Sequence, residues 1–196
     1  MKIVLATHNR HKVEEIRHIL SDLNVELLSL DSFPEIGEIV EDGATLEENA
    51  RKKARTVYEK TGLLSVADDT GLGVDALGGR PGVYSARYAG ETATYRQNNE
   101  KLLGELRSVP FERRTARFRC AISIIGRDID EIAIGDVPGK ILMEARGANG
   151  FGYDPLFLPD GYDISYAEME SALKNKLSHR ARALEEAKKI LERLIP

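Results

Sequence analysis

"KIVLATHNRHKVEEIRHILSDLNVELLSL", Lys2 to Leu30, sets the architecture. "KIVLA" (2–6) is a short apolar run of the kind that fills a buried strand. From Val13 onward the apolar residues fall at Ile16, Ile19, Leu20 and Leu23, the spacing of one helix face. "VELLSL" (25–30) then reads as a second strand. Strand and helix in alternation define an α/β fold.

The alternation continues outward. After an acidic, loop-like segment, "DSFPEIGEIVEDG", Thr45 with Glu48 three residues later forms a capping box that opens a second helix. Its apolar stripe is Leu46, Ala50, Ala54, Val57 and Tyr58. "LLSVA" (63–67) is a strand that leads into "DDTG", so Asp68 and Asp69 are expected at its C-terminal end. "GGRPGVYSARYAG" (78–90) is a Gly- and Pro-rich loop, and Thr94 with Gln97 caps a helix that runs to about Leu106. "TARFRCAISII" (115–125) alternates as a half-buried strand should, and "EIAIGDV" and "KILMEA" look like partner strands around "PG". From Ser178 a long amphipathic helix carries Leu184, Ala187, Leu191 and Leu194 on one face. Clustered strands over 115–145 predict a mixed sheet, not an all-parallel one. With no repeat, low-complexity tract or linker, residues 1–196 are expected to form a single domain.

Composition narrows the function classes. Hydrophobic residues make up 42% of the 196, enough for a core that needs no covalent staple. Cys120 is the only cysteine, so no intramolecular disulfide can form; it fits a small core side chain and a reducing, cytoplasmic setting. The first apolar run is too short for a signal peptide, and none approaches the roughly 20 residues of a membrane span, so no membrane is expected as a partner. A net charge of −4 argues against a general nucleic-acid binder, yet leaves room for a small anionic ligand in a local basic pocket.

Several stretches carry chemistry. "ATHNRHK" places Thr7, Asn9 and Lys12 where a strand turns into a helix, and backbone N–H groups at a helix start with a lysine nearby suit a phosphate. The competing reading has Asn9 merely capping the helix and Lys12 solvated. No Walker pattern is present, and His8 with His11 lack a third ligand at zinc spacing. Asp68 and Asp69 could hold a hard cation such as Mg²⁺, and one of them could take a proton from water; an Asp-rich turn is the alternative. Arg113, Arg114, Arg117 and Arg119 are more simply a solvated strand face paired with acids than a nucleic-acid patch, because no aromatic ladder interleaves them. Phe151 and Tyr153 in "GFGYDPLF" could stack on a planar base or plug the loop onto the core. His179 and Arg180 follow a Ser178 cap. Positive charge there opposes the helix dipole, a small penalty tolerated more readily if an acceptor-rich ligand sits opposite.

Taken together, "THNRHK", "TLEENARKKA", "ADDTGLGVDALGGRPGVYSARYAG", "RTARFRC", "GFGYDPLF" and "KNKLSHRARAL" resemble, in order and over nearly the whole chain, the inosine/xanthosine triphosphate pyrophosphatase family. The resemblance implies a long, bent, mixed sheet with flanking helices, two lobes around a central cleft, and a homodimer. It implies Mg²⁺-dependent cleavage of ITP, dITP and XTP to the monophosphate and pyrophosphate, which clears these nucleotides from the pool. Thr7, His8, Asn9, Arg10, His11 and Lys12 match the family's triphosphate-contacting loop, and Lys53 and Lys174 its phosphate-facing lysines. Asp69 matches the catalytic carboxylate and a metal ligand, with Asp68 and Glu41 as further metal ligands and Thr70 as a substrate contact. Phe151, Gly152, Tyr153 and Asp154 match the base-pocket loop, and His179 with Arg180 the base-reading pair. One departure stands out: Val40 occupies the place of the first of two acids that relatives often carry, leaving Glu41 as the second. Rival readings are a septum-inhibition type pyrophosphatase acting on modified pyrimidines, against which "SHR" and "FGYD" argue, and a nucleotide- or RNA-binding module without catalysis.

Overall fold

A computed structural model describes residues 1–195. The strands are β1 (Lys2–Leu5), β2 (Glu26–Ser29), β3 (Leu64–Val74), β4 (Pro81–Gly82), β5 (Thr115–Gly126), β6 (Ile129–Ile141) and β7 (Phe157–Pro159). The helices are α1 (Arg10–Ile19), α2 (Leu46–Thr61), α3 (Tyr95–Glu105), α4 (Ser171–Leu177) and α5 (His179–Leu194). The strands form one mixed sheet in the order β2-β1-β3-β5-β6-β7, with β4 on β3. β1 pairs in parallel with β2 and β3, while β4 on β3 and β7 on β6 are antiparallel. The α/β class and the mixed sheet read from the sequence are both present.

The chain divides into two compact units: residues 1–69 and 120–135 with the chain from Arg180 onward, and residues 70–119 with 136–179. In the first unit, alternate strand residues face opposite sides. Ile3, Leu5 and Val66 join Ile16 and Leu20 of α1 and Ala183, Leu184, Ala187 and Leu191 of α5 in one cluster. Val4, Ala6 and Ala67 join Ala54 and Val57 of α2 in another. Both faces of β1 and β3 are therefore covered, which is why "KIVLA" and "LLSVA" are apolar throughout and not alternating. Leu184 and Leu191 are fully buried, and truncating either to alanine would cost about 2–5 kcal/mol.

In the second unit the core is built on Leu72, Val74, Phe118, Ile141, Leu156, Phe157 and Tyr166. The loop at 78–90, irregular by sequence, is pinned by two buried side chains. Ser85 Oγ accepts the Leu72 N–H at 2.9 Å and donates to the Gly82 carbonyl at 2.6 Å. Asn98 of α3 accepts the Ala89 N–H at 2.7 Å and donates to the Ala86 carbonyl at 2.9 Å. Arg114, 2% exposed, is held by the carbonyls of Leu106 (2.7 Å), Val109 (2.9 Å) and Leu142 (3.0 Å). The arginine cluster is thus not one solvated face. Arg117 is exposed, Arg119 pairs with Asp136 at 3.3 Å, and Arg114 is a buried tie that spacing did not reveal.

Four local expectations are corrected. β3 does not end before the aspartates; it runs through them to Val74. "PG" at 138–139 does not separate two strands, because β6 is continuous from Ile129 to Ile141. Gly139 instead admits β7: a Cβ there would lie 2.4 Å from the Leu158 carbonyl oxygen. β5 is half-buried only over its first residues, and from Cys120 to Ile125 both faces are covered. The Thr45 box is offset: Thr45 accepts the Glu48 N–H at 3.1 Å, but Glu48 accepts from Ala44 at 2.7 Å, one residue earlier than a capping box requires. The Thr94–Gln97 box is complete.

Candidate active site

Side-chain alternation along β3 separates the two aspartates. Asp68 is in phase with Val66 and faces α1 and α5; Asp69 is in phase with Ala67 and faces α2. The repulsion expected of adjacent carboxylates is thereby relieved, and each acid has its own set of cations.

Asp68 is 1% exposed. Its Oδ2 accepts from Lys12 Nζ at 3.1 Å and from Arg180 Nε and Nη2, both at 3.1 Å. Arg180 also donates, through Nη1, to Glu15 of α1. Burial opposes ionisation of Asp68, but Lys12, Arg180 and Lys53 outweigh it and hold the carboxyl well below the usual range. Arg180 is fixed as a guanidinium: burial alone would lower its pKa, and Asp68 and Glu15 raise it further than that.

Asp69 is 6% exposed. Lys53 of α2 donates to its Oδ1 at 3.3 Å and to Glu41 at 3.0 Å; Asn49, one turn earlier on the helix, donates to its Oδ2 at 3.2 Å. Burial pushes Asp69 up to about 6; Lys53 pulls it down, while the neighbouring Glu41 carboxylate pushes it up again. The two acids side by side on one strand therefore titrate far apart: Asp68 stays ionised well below the usual carboxylate range, and Asp69 is raised to about 6, close to neutral pH.

The loop before α1 is also defined. Asn9 caps the helix, accepting from the N–H groups of His11 (3.1 Å) and Lys12 (3.3 Å), while Thr7 Oγ1 accepts the Asn9 N–H at 3.1 Å. His8 is exposed, with Nε2 3.4 Å from the Gly37 carbonyl, and Arg10 and His11 are exposed in the first turn. Lys12 is not solvated; it reaches Asp68.

The second unit holds the aromatic loop. Asp154 Oδ2 accepts from the Phe151 N–H and from Lys174 Nζ, both at 2.7 Å, and that ammonium lies 4.8 Å from the centre of the Phe151 ring. Tyr153 donates to the Ser85 carbonyl at 2.9 Å, and Asn99 of α3 donates to the Gly152 carbonyl at 3.0 Å. His179, 3% exposed, stacks on Phe118 with centroids 4.3 Å apart, and Tyr166 lies 6.1 Å away. Thr70 is half-buried in β3. Phe151, Asp154 and Lys174 are thus gathered in one cluster. Sequence reasoning missed Glu15, Asn49 and Asn99. Glu15 sits one turn beyond Lys12 and Asn49 one turn before Lys53, a spacing that could have flagged both.

Among the described residues, no three His, Cys, Asp or Glu side chains are arranged to hold a metal ion by themselves. The carboxylates of Glu41 and Asp69 do converge on one ammonium, that of Lys53, which marks a place where positive charge is held by hard oxygen donors. Mg²⁺ commonly takes one or two carboxylates and completes its shell with water and substrate phosphate, so this donor pair fits it. Asp68 is engaged by Lys12 and Arg180, and Val40 is exposed and offers no oxygen from its side chain.

A capped strand-to-helix turn, a buried carboxylate raised to about 6 and an aromatic loop on a mixed α/β sheet are parts that a nucleotide-handling protein needs. The Ham1 family model matches residues 3–190. A protein of Thermoanaerobacter pseudethanolicus named dITP/XTP pyrophosphatase is 49% identical over 195 residues, covering 99% of this chain and 98% of its own length. One of the same name from Bacillus subtilis is 48% identical over 191 residues, 96% of each chain. The structure of a HAM1 protein from Coxiella burnetii superposes with a TM-score of 0.90 at 38% identity, covering 98% of this chain and 99% of the other. The chain belongs to the Ham1 family.

Proposed function

We propose that this protein hydrolyses the non-standard purine nucleoside triphosphates dITP, XTP and ITP to the monophosphate and pyrophosphate, removing them from the nucleotide pool. The names of the full-length relatives support the substrate class. The observation that carries the chemistry is Asp69: a buried carboxylate raised to about 6, with Lys53 on one oxygen and Asn49 on the other. A base with its pKa near the operating pH is suited to proton transfer.

In this reading Asp69, ionised at neutral pH, orients a water and takes its proton. The water oxygen bonds to the α-phosphorus while the bond from that phosphorus to the β-bridging oxygen breaks, and pyrophosphate leaves with the electron pair. Asp69 and Glu41 would hold Mg²⁺, which would supply the positive charge that eases departure of pyrophosphate. Lys53 and Lys12 hold the triphosphate, with Arg10 exposed in the first turn of α1 beside them. Phe151 stacks on the base, and His179 donates to its 6-keto oxygen, a group that adenine lacks. Donor–acceptor mismatch in a buried site can discriminate by about 10⁴-fold. Arg180, committed to Asp68 and Glu15, acts by position, and Lys174, held by Asp154, secures the base loop. We further propose a Mg²⁺-dependent, cytoplasmic homodimer, supported by the resemblance in "THNRHK" through "KNKLSHRARAL".

Product analysis tests the bond cleaved. Phosphorus NMR of a dITP reaction with Mg²⁺ should show dIMP and pyrophosphate as the first products; dIDP with orthophosphate would refute the reading.

A further inference from the structure

Asn49 is fully buried, yet polar, and its amide is used at both ends. Its Oδ1 accepts the Gly43 N–H at 2.8 Å, and its Nδ2 donates to Asp69 Oδ2 at 3.2 Å. The Gly43 contact settles which way the amide points: with an N–H on one side, only the oxygen can face Gly43, so the NH₂ must face Asp69. Gly43 lies two residues after Glu41 in the loop that leads into α2. The amide therefore joins that loop to the carboxylate on β3.

The approach of loop and amide is close. A Cβ on Gly43 would stand 2.7 Å from Asn49 Oδ1 and 2.8 Å from the Glu48 Cβ. Only glycine lets the loop backbone come near enough for its N–H to reach the amide. Lys53 is a long, flexible point donor on Asp69 Oδ1, whereas the Asn49 amide is short, planar and held at its other end.

We infer that Asn49 is a positioning residue: it fixes the plane of the Asp69 carboxylate and sets the Glu41 loop against it, while touching neither substrate nor metal. The inference rests on the role given to Asp69 above. A base displaced by an ångström loses turnover more than affinity, by about 10²-fold. Triphosphate binding, carried by lysines, is left in place.

The test is steady-state pyrophosphate release from dITP by wild type, Asn49→Ala, Asn49→Asp and Gly43→Ala, with melting temperatures in MgCl₂ alone. Asn49→Asp keeps the acceptor for Gly43 but puts an oxygen against Asp69. Gly43→Ala pushes on the Asn49 amide and on the Glu48 Cβ, and leaves Asp69 and Lys53 unchanged. The expected result is a kcat loss of about 100-fold for both Asn49 variants and about tenfold for Gly43→Ala, with KM changed less than about threefold in each. In MgCl₂ without nucleotide, the rise in melting temperature of Asn49→Ala should be at most half that of wild type. Folded Asn49 variants with kcat within about twofold of wild type and an equal MgCl₂ shift would overturn the inference. Wild type that releases no pyrophosphate would refute the proposed function instead, and the MgCl₂ comparison would still judge Asn49.

Discussion

Arg180 donates twice to one oxygen of Asp68, from Nε and Nη2 at 3.1 Å each, across 112 residues of sequence. Both side chains are 2% exposed or less. Removing either member leaves the other buried beside a further partner, Lys12 for Asp68 or Glu15 for Arg180, at a cost of up to about 3–5 kcal/mol. Asp68→Ala and Arg180→Met should each lower the unfolding free energy by that amount in urea titrations. Losses under about 1 kcal/mol would show the pair to be dispensable for stability.

Asp69 should behave in the opposite way. Its carboxyl is raised by burial, so ionising it at neutral pH disfavours the folded state. Asp69→Asn should leave the melting temperature equal or higher while turnover falls by at least about 10³-fold. An inactive but destabilised variant would argue for a structural acid.

The same contrast fixes the sign of the pH dependence. Asp68, depressed, contributes stability that is present above the ordinary carboxylate pKa and lost as pH falls through its folded value. Asp69, raised, contributes stability that is present below its unfolded pKa and lost as pH rises toward about 6. Without Mg²⁺, wild type should therefore lose stability between about pH 4 and 6 relative to Asp69→Asn, as chemical denaturation at the two pH values would show. The acidic limb of kcat/KM should lie near 6 at low Mg²⁺ and move to lower pH as Mg²⁺ rises, because a cation favours the ionised form. A limb independent of Mg²⁺ would separate Asp69 from the metal.

In the second unit, base choice should be separable from chemistry. His179→Ala removes the proposed donor to the 6-keto oxygen and leaves Lys53 and Asp69 untouched. The ratio of kcat/KM for dITP to that for dATP should fall by at least about tenfold, with the pH limb unchanged. An unchanged ratio would remove His179 from base reading.

Much of this was legible in the chain. The strand and helix alternation, the Thr94 box and the apolar stripe of the last helix depend on neighbours within a turn or two, so short-range periodicity revealed them. The course of β3 through Asp68 and Asp69 was not. A strand with two consecutive buried acids is stable only because Lys12, Lys53 and Arg180 neutralise them, and Arg180 is remote in sequence. Gly139 misled for a related reason, since its purpose is the approach of β7, which local patterning cannot show. The resemblance pointed to Asp69, Lys53 and the aromatic loop, but not to the pairing of Arg180 with Asp68 or the hydrogen bond from Asn49 to Asp69.

The most direct measurement is a Mg²⁺-dependent panel of kcat/KM, read by pyrophosphate release, over dITP, XTP, ITP, dATP, dGTP and dTTP. The 6-keto purines without a 2-amino group should exceed the standard nucleotides by at least about 100-fold. Equal rates across the panel, or a preference for dTTP, would contradict the assignment.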